Sequence, residues 1–161
     1  MSKTERNGVQ EETIEIKKNV IIDASPEIVF KAITDPQELT NWFPDQAVFE
    51  PKVGGKVSFF FYKEKSAKEH TRTIDYFPEG TVKEFIPNKK VTYTWQLKGM
   101  PEFPETVVTW ELEEIDVNKT KVVLSHSGFT GREEGSLSSG EHDKGWSYFL
   151  GRLEKYCKGR K

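Results

Sequence analysis

The stretch from Ser138 to Lys158 constrains the fold of this chain more than any other. Ser138 and Glu141 stand three residues apart at its start, the spacing of a capping box in which hydroxyl and carboxylate each satisfy a free amide. Trp146, Phe149, Leu150, Leu153 and Tyr156 then recur at intervals of three and four, which gives a helix one apolar, aromatic stripe. Glu141 and Asp143 lie near its start and Lys155, Lys158, Arg160 and Lys161 near its end, as the helix dipole favours, and Gly159 supplies a stop. A stripe of this size must be covered. Upstream segments are short, strand-like and rich in β-branched and aromatic residues, so the expected cover is a curved antiparallel sheet and the expected fold class is α+β.

The length, 161 residues, and the lack of a Gly/Ser-rich or Pro-rich linker point to one domain over residues 13–159, after a disordered lead over residues 1–12. Hydrophobic residues make up only 35%, yet 11 Phe, 5 Tyr and 4 Trp let a small core fill its volume with large side chains. With 24 basic against 26 acidic residues and no basic cluster outside the final turn, phosphate-backbone binding has little to act through, which excludes nucleic acid as an expected partner. No window reaches the length and apolarity of a membrane span, and the start of the chain has no apolar signal-type core. One cysteine, Cys157, rules out an internal disulfide, fits a reducing compartment and leaves no basis for a cysteine zinc site. The expectation is a cytoplasmic protein.

Taken in order, Ile14, Ile16, Val20 and Ile22 alternate with polar residues as a half-buried strand does, with Lys18 interrupting the apolar face at a rim. Ser25-Pro26 predicts a helix start, and Asp35-Pro36 with Glu38 predicts a second short helix presenting Leu39, Trp42 and Phe43 before Pro44. A meander follows. Val48-Phe49, then Val57 to Tyr62 with three consecutive phenylalanines, a charged loop from Lys63 to His70, a modest strand from Thr71 to Tyr76, and a strand through Val82 and Phe85 lead to Lys90–Leu97. Gly99 to Pro104 reads as an irregular loop with Phe103 exposed on it. Val108, Trp110 and Leu112 alternate, Asn118-Lys119 marks a hairpin, and Val122, Leu124 and His126 run toward Gly128-Phe129. About six strands thus separate the two short helices from the last one.

That order and the residues at its joints resemble the family of homologues of the heat-shock-protein-90 ATPase activator, within the START-like, birch-allergen-like superfamily. The residues carrying the resemblance are Asp23-Ala24 with Pro26, Thr34-Asp35-Pro36 and Trp42, Gly54-Gly55, Gly80 with Val82, Glu84 and Pro87, Thr94-Trp95, Thr120, Ser127-Gly128-Phe129, and Gly145-Trp146 with Leu150 and Leu153. The resemblance runs from about Ile14 to Lys158. It implies a helix-grip fold, with a curved sheet wrapped around the long C-terminal helix and a cavity between them. It leaves the ligand open, since this superfamily binds lipids, hormones and polyketides and includes enzymes. It also implies a heat-shock-protein-90-type chaperone as a partner and a stress-response role.

The residues expected to line a cavity are Trp42, Phe59, Phe61, Trp95, Phe103, Trp110, His126, His142, Trp146, Phe149, Leu150 and Leu153, although a solid core would use the same side chains. Gly145 before Trp146 suggests a close approach at that turn. His126 and His142 are expected near the interior, as hydrogen-bonded or partly exposed residues at the cavity mouth, with a shared site as the sharper alternative. Two histidines without a carboxylate at ligand spacing make a poor metal site, Cys157 has no histidine at local spacing, and Glu84 lacks a second carboxylate, so no catalytic residue, metal or cofactor is nominated. Asn118-Lys119-Thr120 is read as a turn and not as a glycosylation site. The leading functional expectation is a binding module for a small apolar or aromatic molecule, with Phe103 as a lid. A chaperone-associated protein and a cavity enzyme, a cyclase or hydrolase, are the alternatives.

Overall fold

A computed structural model describes residues 14–63 and 74–161. The expected lead over residues 1–12, most of the charged loop and the start of the Thr71–Tyr76 strand lie outside these residues. The elements run β1 (Ile14–Ile22), α1 (Pro26–Thr34), α2 (Pro36–Leu39), β2 (Gln46–Phe49), β3 (Lys56–Phe60), β4 (Pro78–Ile86), β5 (Lys90–Leu97), β6 (Thr106–Asp116), β7 (Lys119–Phe129), a short 3-10 turn (Gly135–Leu137) and α3 (Ser139–Cys157).

The strand periodicities are realised as one antiparallel sheet of seven strands among the described residues, in the order β1-β7-β6-β5-β4-β3-β2. Bulges between Val82 and Glu84 and between Glu114 and Asp116 add residues to one strand of a pair, which bends it and increases its twist. Gly80 is required by space, because a Cβ there would fall 1.9 Å from the Thr94 carbonyl oxygen. The curved sheet, the long last helix and the two helices after β1 make a helix-grip α+β fold.

Side-chain caps start the short helices as their sequences predict. Ser25 accepts from the Ile28 amide at 3.4 Å, and Asp35 accepts from Gln37 and Glu38 at 2.8 and 3.2 Å. The second helix is a single turn ending at Leu39; Trp42 and Phe43 lie beyond it, both buried, and the Trp42 indole donates to the Ala32 carbonyl at 2.9 Å. Phe43 then becomes a hub of the core, with ring centroids 5.0–5.4 Å from Trp42, Phe59, Phe61, Trp146 and Phe149. Of the three consecutive phenylalanines, Phe59 and Phe61 face this core, while Phe60 meets Phe77 at 5.7 Å.

The last helix spans the predicted residues, and half of its capping box forms. The Ser138 hydroxyl accepts from the Glu141 amide at 3.1 Å, but the Glu141 carboxylate turns outward to Lys144 at 3.2 Å, because the Ser138 amide is already taken by the Gly135 carbonyl. His142, Trp146, Phe149, Leu150, Leu153 and Cys157 form the buried stripe. Both ends are tied down. Lys18 pairs with Asp143 at 2.7 Å, which confirms its place on a rim, and the Gly159 amide, at φ +75°, donates to the Asp23 carbonyl at 2.8 Å. The close approach expected at Gly145 is absent, for a Cβ there would meet nothing within 4 Å. A glycine with helical dihedrals and open space costs a helix about 0.5–1 kcal/mol relative to alanine. Gly145→Ala should therefore raise the unfolding free energy by about that amount, read as a higher urea midpoint at unchanged slope.

Candidate functional site

Along α3 the interior changes character. Toward the C-terminal half it is aliphatic and aromatic, whereas around the first two turns it holds polar groups inside a shell of rings. β7 carries His126 in register with Val108 of β6 and Ile16 of β1, and the Trp95–Thr106 pair joins β5 to β6 beside it. His142 and Trp146, one turn apart on α3, descend onto these residues. Tyr76 enters from a backbone bridge with Phe61, and Phe103 and Phe129 close the end. The His126 and His142 rings lie 5.4 Å apart and the His126 and Phe129 rings 4.6 Å apart.

Hydrogen bonding fixes where the protons are. The Thr106 hydroxyl donates to the Trp95 carbonyl at 2.7 Å, so its oxygen accepts from His126 Nε2 at 2.8 Å. The Trp146 indole N–H donates to His126 Nδ1 at 2.9 Å, which requires that nitrogen to be bare. His126 is therefore neutral with its proton on Nε2. His142 is the opposite tautomer: Nδ1–H donates to the Ser138 carbonyl at 3.0 Å, and Nε2 accepts from the Tyr76 hydroxyl. Burial, with His142 nearby, pushes the His126 pKa well below 6.5. Burial also lowers His142 to about 4, against the opposing pull of the Ser138 carbonyl and the Glu133 carboxylate. Tyr76 is pushed up by burial, with the Trp95 indole N–H as a weaker opposing influence. That N–H faces the Tyr76 oxygen without reaching full hydrogen-bond geometry.

The twelve expected lining residues are all buried, at 7% exposure or less. Trp95, Phe103, His126, His142 and Trp146 meet at the polar end. Trp42, Phe59, Phe61, Trp110 and Phe149 gather around Phe43 and Trp146, and Leu150 and Leu153 continue the stripe beyond them. Two placements differ from expectation. Phe103 is not exposed but 1% accessible, because its amide donates to Met100 and its carbonyl accepts from the Gln96 side chain at 2.6 Å, folding the loop inward. The histidines lie inside the packed end and not at a mouth. Glu84 pairs with Lys90 at 3.1 Å on the outside of the sheet, and the Cys157 thiol is raised to about 12 by burial. No three His, Cys, Asp or Glu side chains converge as for a metal ion among the described residues.

Sequence reasoning did not nominate Tyr76, Thr106, Phe129 or Phe43. Phe43, beside Trp42 in an apolar pair, and Phe129, after Gly128 at the end of a strand, carried local signals. Among the described residues, two clefts flank the interior. One of about 480 Å³ is lined by Glu102, Phe103, Pro104, Thr130, Arg132, Glu133, Glu134 and Leu137, so Phe103 stands between it and His142, on which its ring stacks at 5.7 Å. The other, of about 420 Å³, runs between β1 and α3 along Lys18, Val20, Leu150 and Gly151.

Comparison with known proteins places this geometry. The family model described as Activator of Hsp90 ATPase homolog 1-like protein matches residues 23–158. No curated protein matches the chain. Among solved structures, protein CV1439 from Chromobacterium violaceum is similar at a TM-score of 0.72 and 18% identity, over 91% of this chain and 98% of that one. The Aha1 dimer from Colwellia psychrerythraea has a TM-score of 0.69 at 21% identity, over 91% and 97%. DynU16, a protein in the dynemicin biosynthetic locus, has a TM-score of 0.69 at 22% identity over 88% of this chain, which spans 46% of DynU16. At such identities these likenesses show a shared fold.

Because both histidines are held neutral, the unfolded chain binds protons that the folded one refuses once the pH falls below about 6.5. Their contribution to stability is complete above that value and is lost as the pH drops, toward about 4 for His142 and well below 6.5 for His126. Chemical denaturation should show the unfolding free energy falling by about 1.4 kcal/mol per pH unit for each histidine below the unfolded-state value. A flat profile between about pH 6.5 and pH 5, above most carboxylate titration, would contradict the neutral assignment.

Proposed function

Because the chain belongs to the Activator of Hsp90 ATPase homolog 1-like family, we propose that it is a binding module that takes one small apolar or aromatic molecule between α3 and the sheet. The observation that carries this reading is the polar cluster at one end of an otherwise apolar interior, with a cleft of about 480 Å³ separated from it by Phe103. Polar groups add little to the stability of a packed core, since apolar side chains of the same shape do as well, whereas a few convergent polar groups in an aromatic pocket orient a ligand. Residues 13–159 act as one unit in this reading, in the cytoplasm and without a cofactor.

The family itself favours a second reading, in which the same domain contacts a heat-shock-protein-90-type chaperone. A cavity enzyme has less support, because both ring nitrogens of each histidine are already bonded and Glu84 lies outside the interior. Native mass spectrometry of the purified protein, with organic extraction of what it carries, should reveal a hydrophobic molecule bound one to one. A protein that carries none and takes up no hydrophobic probe would overturn the binding reading. A change in the ATPase rate of the chaperone from the same organism would instead support the second.

A further inference from the structure

The strand order sets three turns side by side at one end of the sheet. Every pairing is antiparallel, so the β2–β3, β4–β5 and β6–β7 turns all emerge at the end where β1 finishes. Successive turns are two strands apart, about 10 Å, and the three together span about 20 Å. Backbone bonds fix them as one rim. The Gly54 amide donates to the Val82 carbonyl at 2.9 Å, the Val82 amide to Gly55 at 2.8 Å, and the Leu112 amide to Lys89 at 2.8 Å. The end of α3 joins the same rim through the bond from the Gly159 amide to Asp23.

Each turn carries an exposed aliphatic side chain close to a lysine. Val53 follows Lys52, Ile86 precedes Lys89, and Ile115 and Val117 precede Lys119. These four are half of the eight exposed large hydrophobic residues among the described ones, and Val53 and Val117, at 66% and 71%, are the most exposed of all. Single exposed aliphatics are ordinary, but a row of them along one rim is not. The charges beside them are arranged to reach outward. Lys52, Lys89, Lys158 and Lys161 make no ion pair among the described residues. The acidic side chains of the turns are engaged by backbone, Glu50 accepting from the Lys56 amide and Asp116 from the Val117 amide, each at 2.7 Å. Glu113 and Glu114 lie farther back on β6, Glu113 opposite Lys121.

At the far end the sign is reversed. Glu102, Glu105, Glu133, Glu134 and Glu141 stand there against Arg132 and Lys144. The 19 residues of α3 separate the two ends by about 28 Å, several times the screening length of about 8 Å at physiological salt. A charged surface meeting the rim therefore does not sense the far acids, and the formal charge of −2 for the whole chain conceals a basic end.

Aliphatic tips with lysines between them do not suit the core of a protein interface, where lysine is depleted, or single-stranded nucleic acid, whose bases stack on rings that these tips lack. A bilayer surface accommodates both kinds of side chain. Valine and isoleucine enter the boundary between headgroups and acyl chains, while lysine stems extend back to the phosphates. No helix among the described residues is long and apolar enough to cross a membrane, so the contact is with its surface. We propose that this rim docks on an anionic phospholipid bilayer, with Val53, Ile86, Ile115 and Val117 inserted and Lys52, Lys89, Lys158 and Lys161 at the headgroup phosphates. The cleft beside Phe103 then faces away from the membrane. This goes beyond the binding-module reading and does not depend on what the interior holds.

The test is flotation with vesicles of equal parts phosphatidylglycerol and phosphatidylcholine, which should carry the protein, and with phosphatidylcholine alone, which should carry it at least about tenfold less. Lys52→Ala with Lys89→Ala should weaken the association about 25-fold, near fivefold for each lysine. Val53→Ser with Val117→Ser should weaken it at least about tenfold. Lys144→Ala removes the same charge at the far end and should change it by less than about twofold. All of these side chains are exposed, so the variants keep their packing. In the wild-type protein, the Val53 and Val117 methyl resonances should broaden on bicelles doped with a spin-labelled lipid while those of Leu137 at the far end stay sharp. Failure to float with either vesicle would overturn the proposal. So would equal weakening by Lys144→Ala and by either rim lysine alone, or broadening at Leu137 in place of Val53 and Val117. Equal flotation with both vesicles would remove the anionic preference. Binding to dissolved polyglutamate as tight as to vesicles, untouched by the valine variants, would assign the rim to an acidic polypeptide instead.

Discussion

The hydrogen bond from the Trp146 indole to His126 Nδ1 ties the last helix to the last strand, and much of the polar end depends on it. It demands a bare nitrogen, which forces the imidazole proton onto Nε2. That proton then goes to Thr106, whose own proton reaches the Trp95 carbonyl, so one chain of bonds runs from α3 through β7 and β6 to β5. Protonating His126 would set two donors face to face. Removing the Trp146 donor would leave a buried acceptor unpaired, which costs about 1–3 kcal/mol, a sizeable part of a typical domain stability of about 5–15 kcal/mol. The position of α3 on the sheet and the charge state of the interior are thus one constraint.

The aromatic half of the interior obeys a looser rule. Phe43 touches Trp42, Phe59, Phe61, Trp146 and Phe149 through edge-on and stacked contacts, none of which demands a unique proton or a unique partner atom. Such packing tolerates exchange of similar rings better than the polar end tolerates loss of a donor. The same division separates packing that any similar ring can supply from bonds that need one particular partner. Rings supply area, about 150–250 Å² for each aromatic side chain, and the few fixed donors and acceptors supply orientation.

Elements with a local cause were legible in the sequence. Periods of three and four located α3 to within a residue, Ser25 and Asp35 announced the two short helices through hydroxyl or carboxylate caps, and alternation located β1, β5, β6 and β7. The site was legible only by half. Trp95, His126, His142 and Trp146 stood out as large or titratable residues on apolar faces, but Thr106 and Tyr76 did not, because their partners lie 20 and 66 residues away and no period connects them. Phe103 was misplaced for a related reason. Two prolines mark a loop, yet whether a loop's aromatic points in or out depends on bonds such as Gln96 to the Phe103 carbonyl, which the loop's composition does not encode. Gly145 shows the opposite error, a glycine that invited a packing explanation where space is empty.

The charge of the polar end follows from competing effects of unequal size. Glu133 and the Ser138 carbonyl, which accepts from both the His142 backbone and its Nδ1–H, favour an imidazolium at His142. Burial opposes them, and so does the position of His142 on the first turn of α3, where the helix dipole disfavours positive charge. Desolvation is the larger influence on each ring, and for His126 the neighbouring His142 ring, 5.4 Å away, adds to it. An interior kept neutral in this way retains one geometry of donors across the pH range in which free histidines titrate.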